Sequence, residues 1–140
     1  AAEEAGLTPV KINAVVVQGY NESDVVEVAR LTLEHPWQVR FIEMMPFAGA
    51  TGLQTNQLVT AGTMQDLISK TLGDLKMVNG GKLDGEARLY RLPGAKGDLG
   101  FISSVTQPFC ASCTRARLTA DPTEEQHRHH AEGGGEQVIS

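Results

Sequence analysis

Long apolar runs are missing from this sequence. No stretch approaches the roughly 18 consecutive hydrophobic residues that suggest a membrane-spanning helix, and no such helix is expected. A basic surplus is missing too. The 12 Lys and Arg stand against 17 Asp and Glu, a formal net charge of −5, whereas broad nucleic-acid binding relies on a basic surface to neutralise phosphates. Any anionic ligand must therefore meet a local basic cluster. Cysteine is scarce, with two in 140 residues, and no secretory signal precedes them, so a reducing compartment, the cytoplasm by default, is expected. The start, AAEEAGLTPV, has neither an initiator Met nor the basic and apolar regions of a signal peptide. It reads as a cut inside a longer chain, and upstream sequence is expected. No internal repeat is visible. What remains, 41% hydrophobic and 21% charged residues in one domain's length, is ordinary globular composition.

Against these absences stand clear periodicities. Residues 10 to 17 (VKINAVVV) are β-branched and nearly continuously apolar, as a parallel strand covered on both faces requires; only Lys11 and Asn13 interrupt them. Asn21 is placed to cap a helix with Asp24 in its first turn, and Val25, Val28, Ala29 and Thr32/Leu33 recur at helical spacing up to HisPro at 35 and 36. Residues 38 to 44 (QVRFIEM) read as a second strand, so strand, helix and strand make a βαβ crossover. Residues 46 to 59 read as a loop from the C-terminal end of that strand, where α/β folds favour ligand sites. A second helix is predicted from Ala61 to Leu72, with Met64, Leu67, Ile68 and Leu72 on one face and Gly73 as its stop. ARLYRL (87 to 92) and GFISSV (100 to 105) read as an antiparallel hairpin about a Gly-rich turn. The tail from Pro122 to Ser140 is polar and Gly-rich, and disorder is expected there.

The chemistry concentrates in CASCTRAR, residues 110 to 117. Cys110 and Cys113 have the C-x2-C spacing that lets two thiolates share one metal; spacing alone leaves zinc, iron–sulfur, a redox dithiol and two ordinary buried thiols open. The continuation alternates like a strand rather than a helix, which weighs against the dithiol. Arg115 and Arg117, two apart, would project from one strand face as a fork able to hold a di- or triphosphate; a solvated strand face is the plain alternative. Lys11, a cation in an apolar strand, must reach the strand end or find an anion. The plain reading of Arg40 and Glu43 is a salt-bridged pair at the rim, and of Met44 and Met45 core filling.

Taken together these segments resemble a known family. From Leu89 to Asp121, LYRLPGAKGDLGFISSVTQPFCASCTRARLTAD is similar to the C-terminal signature of the MoaA family of GTP 3′,8-cyclases. VKINAVVVQGYN and VRFIEMMPF resemble, in order and spacing, the fifth and sixth strands of that family's incomplete (β/α) barrel. The resemblance implies an α/β fold, the C-terminal part of an incomplete TIM-like barrel with a small α+β extension carrying an iron–sulfur site. It suggests three regions: barrel strands and helix in 1–59, an iron–sulfur and GTP-binding extension in 60–121, and a disordered or aberrant tail in 122–140. By the same resemblance, Cys110 and Cys113 match two ligands of a 4Fe-4S cluster with one iron open to the purine of GTP. Lys11, Arg115 and Arg117 match GTP-phosphate contacts, and Arg40 and Met45 match S-adenosylmethionine contacts at the C-terminal strand ends. Lys11, Arg115 and Arg117 are then expected in one phosphate site kept apart from carboxylates. The implied reaction converts GTP to 3′,8-cyclo-7,8-dihydro-GTP, which passes to a cyclic pyranopterin monophosphate synthase; a homodimer is compatible.

Three departures accompany the likeness. The C-x3-C-x2-C loop of the N-terminal, radical-generating 4Fe-4S cluster is not in this sequence, so that cluster is expected only in the full-length protein and this chain alone is expected to be inactive. The third C-terminal ligand should fall at His127, where no Cys stands. Gly133 to Gly135 are followed by EQVIS rather than ending the chain. Two other classes stay open: a zinc-binding interaction module using Cys110, Cys113 and two of His127, His129 and His130, and a structural remnant without activity.

Overall fold

A computed structural model describes residues 1–45 and 58–108. Cys110, Cys113, Arg115 and Arg117, the His127 to His130 cluster, most of the loop beginning at residue 46 and the tail lie outside the described residues.

The first half follows its periodicity. Strand β1 (Lys11–Val16) leads through a 3-10 turn (Glu22–Asp24) into helix α1 (Val25–Glu34), and β2 (Gln38–Glu43) returns parallel to β1, with Lys11 opposite Gln38 and Val16 opposite Glu43. Asn21 does not cap α1. Its amide instead closes the end of β1, accepting from the Val17 N–H and donating to the Val15 carbonyl, each at 2.9 Å. Helix α2 (Ala61–Leu72) is capped by Thr60, whose hydroxyl accepts from the Thr63 N–H, and stops at Gly73 with φ +112°, a conformation that favours glycine. Met64 and Ile68 are buried as its pattern requires, but Leu67 is 38% exposed.

The second half supplies β3 (Lys76–Met77), β4 (Leu83–Asp84), β5 (Ala87–Arg91) and β6 (Asp98–Ile102). Strands β5 and β6 form the expected antiparallel hairpin, although β6 begins two residues earlier than its apolar run and ends at Ile102. Strand β6 also pairs in parallel with β2, Gln38 to Asp98 through Ile42 to Ile102. One sheet of order β1-β2-β6-β5-β3, with β4 beside β5, therefore runs from the first half into the second. The hairpin turn is fastened to the first half by its backbone: the Lys96 and Gly97 N–H groups donate to the Thr32 carbonyl and that of Asp98 to Trp37.

Helices α1 and α2 cover one face of this sheet. Their apolar sides meet Val16, Val39, Phe41, Leu99 and Phe101, each at most 1% exposed, with Phe101 also edge-on to Tyr90. The opposite face carries Lys11 and Asn13 on β1, Gln38 and Arg40 on β2, and a smaller apolar cluster of Ala87, Leu89, Ile102, Ile42 and Val78. It is concave. Four strand intervals separate β1 from β4, about 19 Å in a flat sheet. Yet Lys11 on β1 and Asp84 on β4 form a 3.3 Å ion pair, which a flat sheet would not permit.

Candidate functional site

Among the described residues polar chemistry gathers at two places, one on the concave face and one at the C-terminal ends of β2 and β6.

On the concave face Lys11 and Arg40 converge on a carboxylate. Lys11 opens β1 and Arg40 is the third residue of β2; with Lys11 opposite Gln38 they are diagonal neighbours on adjacent parallel strands. Asp84 Oδ2 lies 3.3 Å from Lys11 Nζ and 2.6 Å from Arg40 Nη2, and the Arg40 Nε–H donates to Gln38 Oε1 at 2.7 Å. Gly100 makes room for this arrangement, because a Cβ there would lie 3.0 Å from Arg40 Cγ. Partial burial pushes the Asp84 carboxyl up, but hydrogen bonds from Gln38 and Lys11 and the charges of Lys11 and Arg40 outweigh it and hold it below its ordinary range. The expected separation of Lys11 from carboxylates is thereby corrected: the chain supplies its own anion. Arg40, too, stands mid-strand rather than at the C-terminal end.

The second place is organised by Glu43, which is 1% exposed. Its carboxylate accepts from the Ala61 N–H on one oxygen and from the Val105 and Thr106 N–H groups on the other, all at 2.9 Å, and from the Thr106 hydroxyl at 2.5 Å. Burial alone would raise its pKa; the Thr106 hydroxyl and the three backbone donors reverse the sign and hold it below its ordinary value. Arg40 and Glu43 are therefore not a rim ion pair. Three residues apart on a strand, they project from opposite faces. Glu43 ties the end of β2 to the first turn of α2 and to the segment leaving β6, whose next residues lead to Cys110. Met45, just beyond, is 48% exposed. It follows Arg40 by five residues, about 16 Å of extended chain. A cleft of about 140 Å³ lined by Gln65, Arg88, Tyr90, Ser103 and Thr106 adjoins this knot, below the roughly 300–1,000 Å³ of ligand pockets.

Sequence reasoning missed Asp84 and the role of Glu43. Nothing local marks Asp84, which reaches the site only because the sheet curls. A carboxylate at an otherwise apolar, inward position of β2 was the available sign for Glu43. Among the described residues no group of three His, Cys, Asp or Glu side chains could hold a metal ion, and no helix is long and apolar enough to cross a membrane.

Known proteins are similar to this sequence. The family model described as Molybdenum Cofactor Synthesis C matches residues 37–124, more than half of the chain. A GTP 3′,8-cyclase of Pelotomaculum thermopropionicum is 43% identical over 120 residues, covering 86% of this chain and 37% of that protein. Those of Alkaliphilus metalliredigens, 43% identical over 116 residues, and Heliobacterium modesticaldum, 44% over 124, cover 83% and 86% of this chain and 35% and 37% of their own lengths. The chain thus spans little more than a third of these relatives. With β2, α2 and the β3 to β6 sheet all inside the matched residues, the chain belongs to the Molybdenum Cofactor Synthesis C family.

Proposed function

We propose that this chain is the C-terminal portion of a GTP 3′,8-cyclase in molybdenum cofactor synthesis, and that its concave face receives the anionic parts of the ligands. The observation that carries this reading is the convergence of Lys11 and Arg40 on that face, within a chain of net charge −5. Two cations brought together in a curved sheet are the local basic cluster that an acidic protein needs to hold anionic groups of its ligands.

In this reading Lys11, with Arg115 and Arg117, neutralises the triphosphate of GTP. Arg40 and Met45 meet S-adenosylmethionine, Arg40 through its carboxylate and Met45 through apolar contact at the strand ends. Cys110 and Cys113 would hold a 4Fe-4S cluster, whose third cysteine ligand is not in this sequence. The bound cofactors supply the radical chemistry; the chain's own residues bind and orient. The C-x3-C-x2-C loop of the radical-generating cluster is not in this sequence, and in this reading the chain by itself is inactive. A cytoplasmic location, a pyranopterin-forming partner enzyme and a homodimer accompany the reading.

The test compares GTP with guanosine by titration calorimetry on the 140-residue chain. Lys11→Ala, Arg115→Ala and Arg117→Ala should each weaken GTP binding by about 10- to 100-fold, the worth of a charge-assisted contact, and leave guanosine binding unchanged. GTP affinity equal in the wild type and all three variants would refute the phosphate site.

A further inference from the structure

The Lys11–Arg40 pair is already bridged by one oxygen of the chain itself. Both cations meet Asp84 Oδ2 rather than one oxygen each, which is how they would share a single oxygen of a ligand. We propose that Asp84 is an intramolecular stand-in for an oxyanion, occupying the Lys11–Arg40 site until a phosphate or carboxylate group of a ligand displaces it. This rests on the reading that the concave face binds anionic groups.

Charge, exposure and topology support exchange. Two cations against one carboxylate leave a net positive charge, so an incoming polyphosphate is attracted to a site that is nominally paired. The side chains of Lys11 and Asp84 are 41% and 39% exposed, which gives a ligand access. Arg40, by contrast, is 11% exposed and held at Nε by Gln38, so its guanidinium stays in place as anions exchange. Leaving that guanidinium without an anion would be costly. The departure of Asp84 is therefore coupled to the arrival of another oxyanion. Asp84 is also well placed to leave. It belongs to a two-residue edge strand held by the Leu83–Arg88 and Asp84–Ala87 pairings, next to a turn in which Gly85 has φ +64°, and it is part of neither apolar cluster. Withdrawing it disturbs a short edge and leaves the core intact.

Two ligand groups share this chemistry, a triphosphate and an amino-acid carboxylate, so the experiment uses inorganic tripolyphosphate and free methionine as separate probes. Calorimetric titration of the 140-residue chain and of Asp84→Asn should show tripolyphosphate binding tightened by roughly three- to tenfold in the variant, the size of a lost exposed-to-half-buried ion pair. Adding Lys11→Ala to Asp84→Asn should abolish the gain. A gain confined to methionine supports the stand-in with a carboxylate as its ligand. If Asp84→Asn lowers the urea midpoint, Asp84→Ser serves in its place. Affinities for both tripolyphosphate and methionine that are unchanged or weaker without the carboxylate overturn the stand-in and leave the anion site standing. Absence of binding by wild type and variants alike overturns both.

Discussion

Glu43 offers the sharpest test of how this fold is held together. All four of its partners are donors: the N–H groups of Ala61, Val105 and Thr106, and the Thr106 hydroxyl. Glu43→Gln keeps the shape and replaces one acceptor oxygen by an NH2 donor. On the side facing Val105 and Thr106 that NH2 would confront two backbone N–H groups that cannot turn round. The amide must therefore direct its oxygen there and its NH2 toward Ala61, where only the hydroxyl can rotate to accept. One helix N–H is left buried without an acceptor, and the charge on the remaining bonds is gone. A lost hydrogen bond to a charged group is worth about 1.5–3 kcal/mol and the missing anion at the start of α2 about 0.5–1 kcal/mol. The sum, about 2–4 kcal/mol, corresponds to a fall of roughly 6–12 °C in Tm for a chain of this size. Glu43→Ala, which strands three N–H groups, should cost more.

Urea unfolding followed by far-UV circular dichroism measures the difference, and pH adds an independent check. Because the folded carboxyl titrates below its ordinary value of 4.5, the unfolded state binds the proton more readily. Stability from Glu43 is then fully present above pH 4.5 and lost as pH falls through the lower, folded pKa. Glu43→Gln should flatten this acid limb. A variant within 0.5 kcal/mol of wild type, with an unchanged acid limb, would refute the knot.

Gly97→Ala tests the close approach that docks the hairpin turn on β2: a Cβ there would lie 2.0 Å from the Trp37 carbonyl oxygen and 2.8 Å from that of His35. Backbone atoms cannot rotate away, so a loss of about 3 kcal/mol is expected in urea; an unchanged midpoint would mean the approach is not made. Phe101→Ala removes the ring packed 5.9 Å from Phe41 and edge-on to Tyr90. It should cost about 3–5 kcal/mol, and a loss under 1 kcal/mol would place the core elsewhere.

Local pattern determined most of the elements. Residues 10 to 17 and 38 to 44 announced parallel strands because a strand buried in an α/β sheet reads as a β-branched run, and Ala61–Leu72 announced a helix because Met64 and Ile68 recur at its period before a glycine stop. The lone Lys11 was legible as a cation in need of an anion. Which anion it meets was not, since Asp84 is 73 residues away and arrives only through the curl of the sheet. The pairing of β6 with β2, and with it the continuity of the two halves, depends on backbone hydrogen bonds that no side-chain period encodes. Arg40 and Glu43 show the division within four residues: alternation assigns them to opposite faces, and only the tertiary fold decides that one face presents a carboxylate and the other three backbone donors.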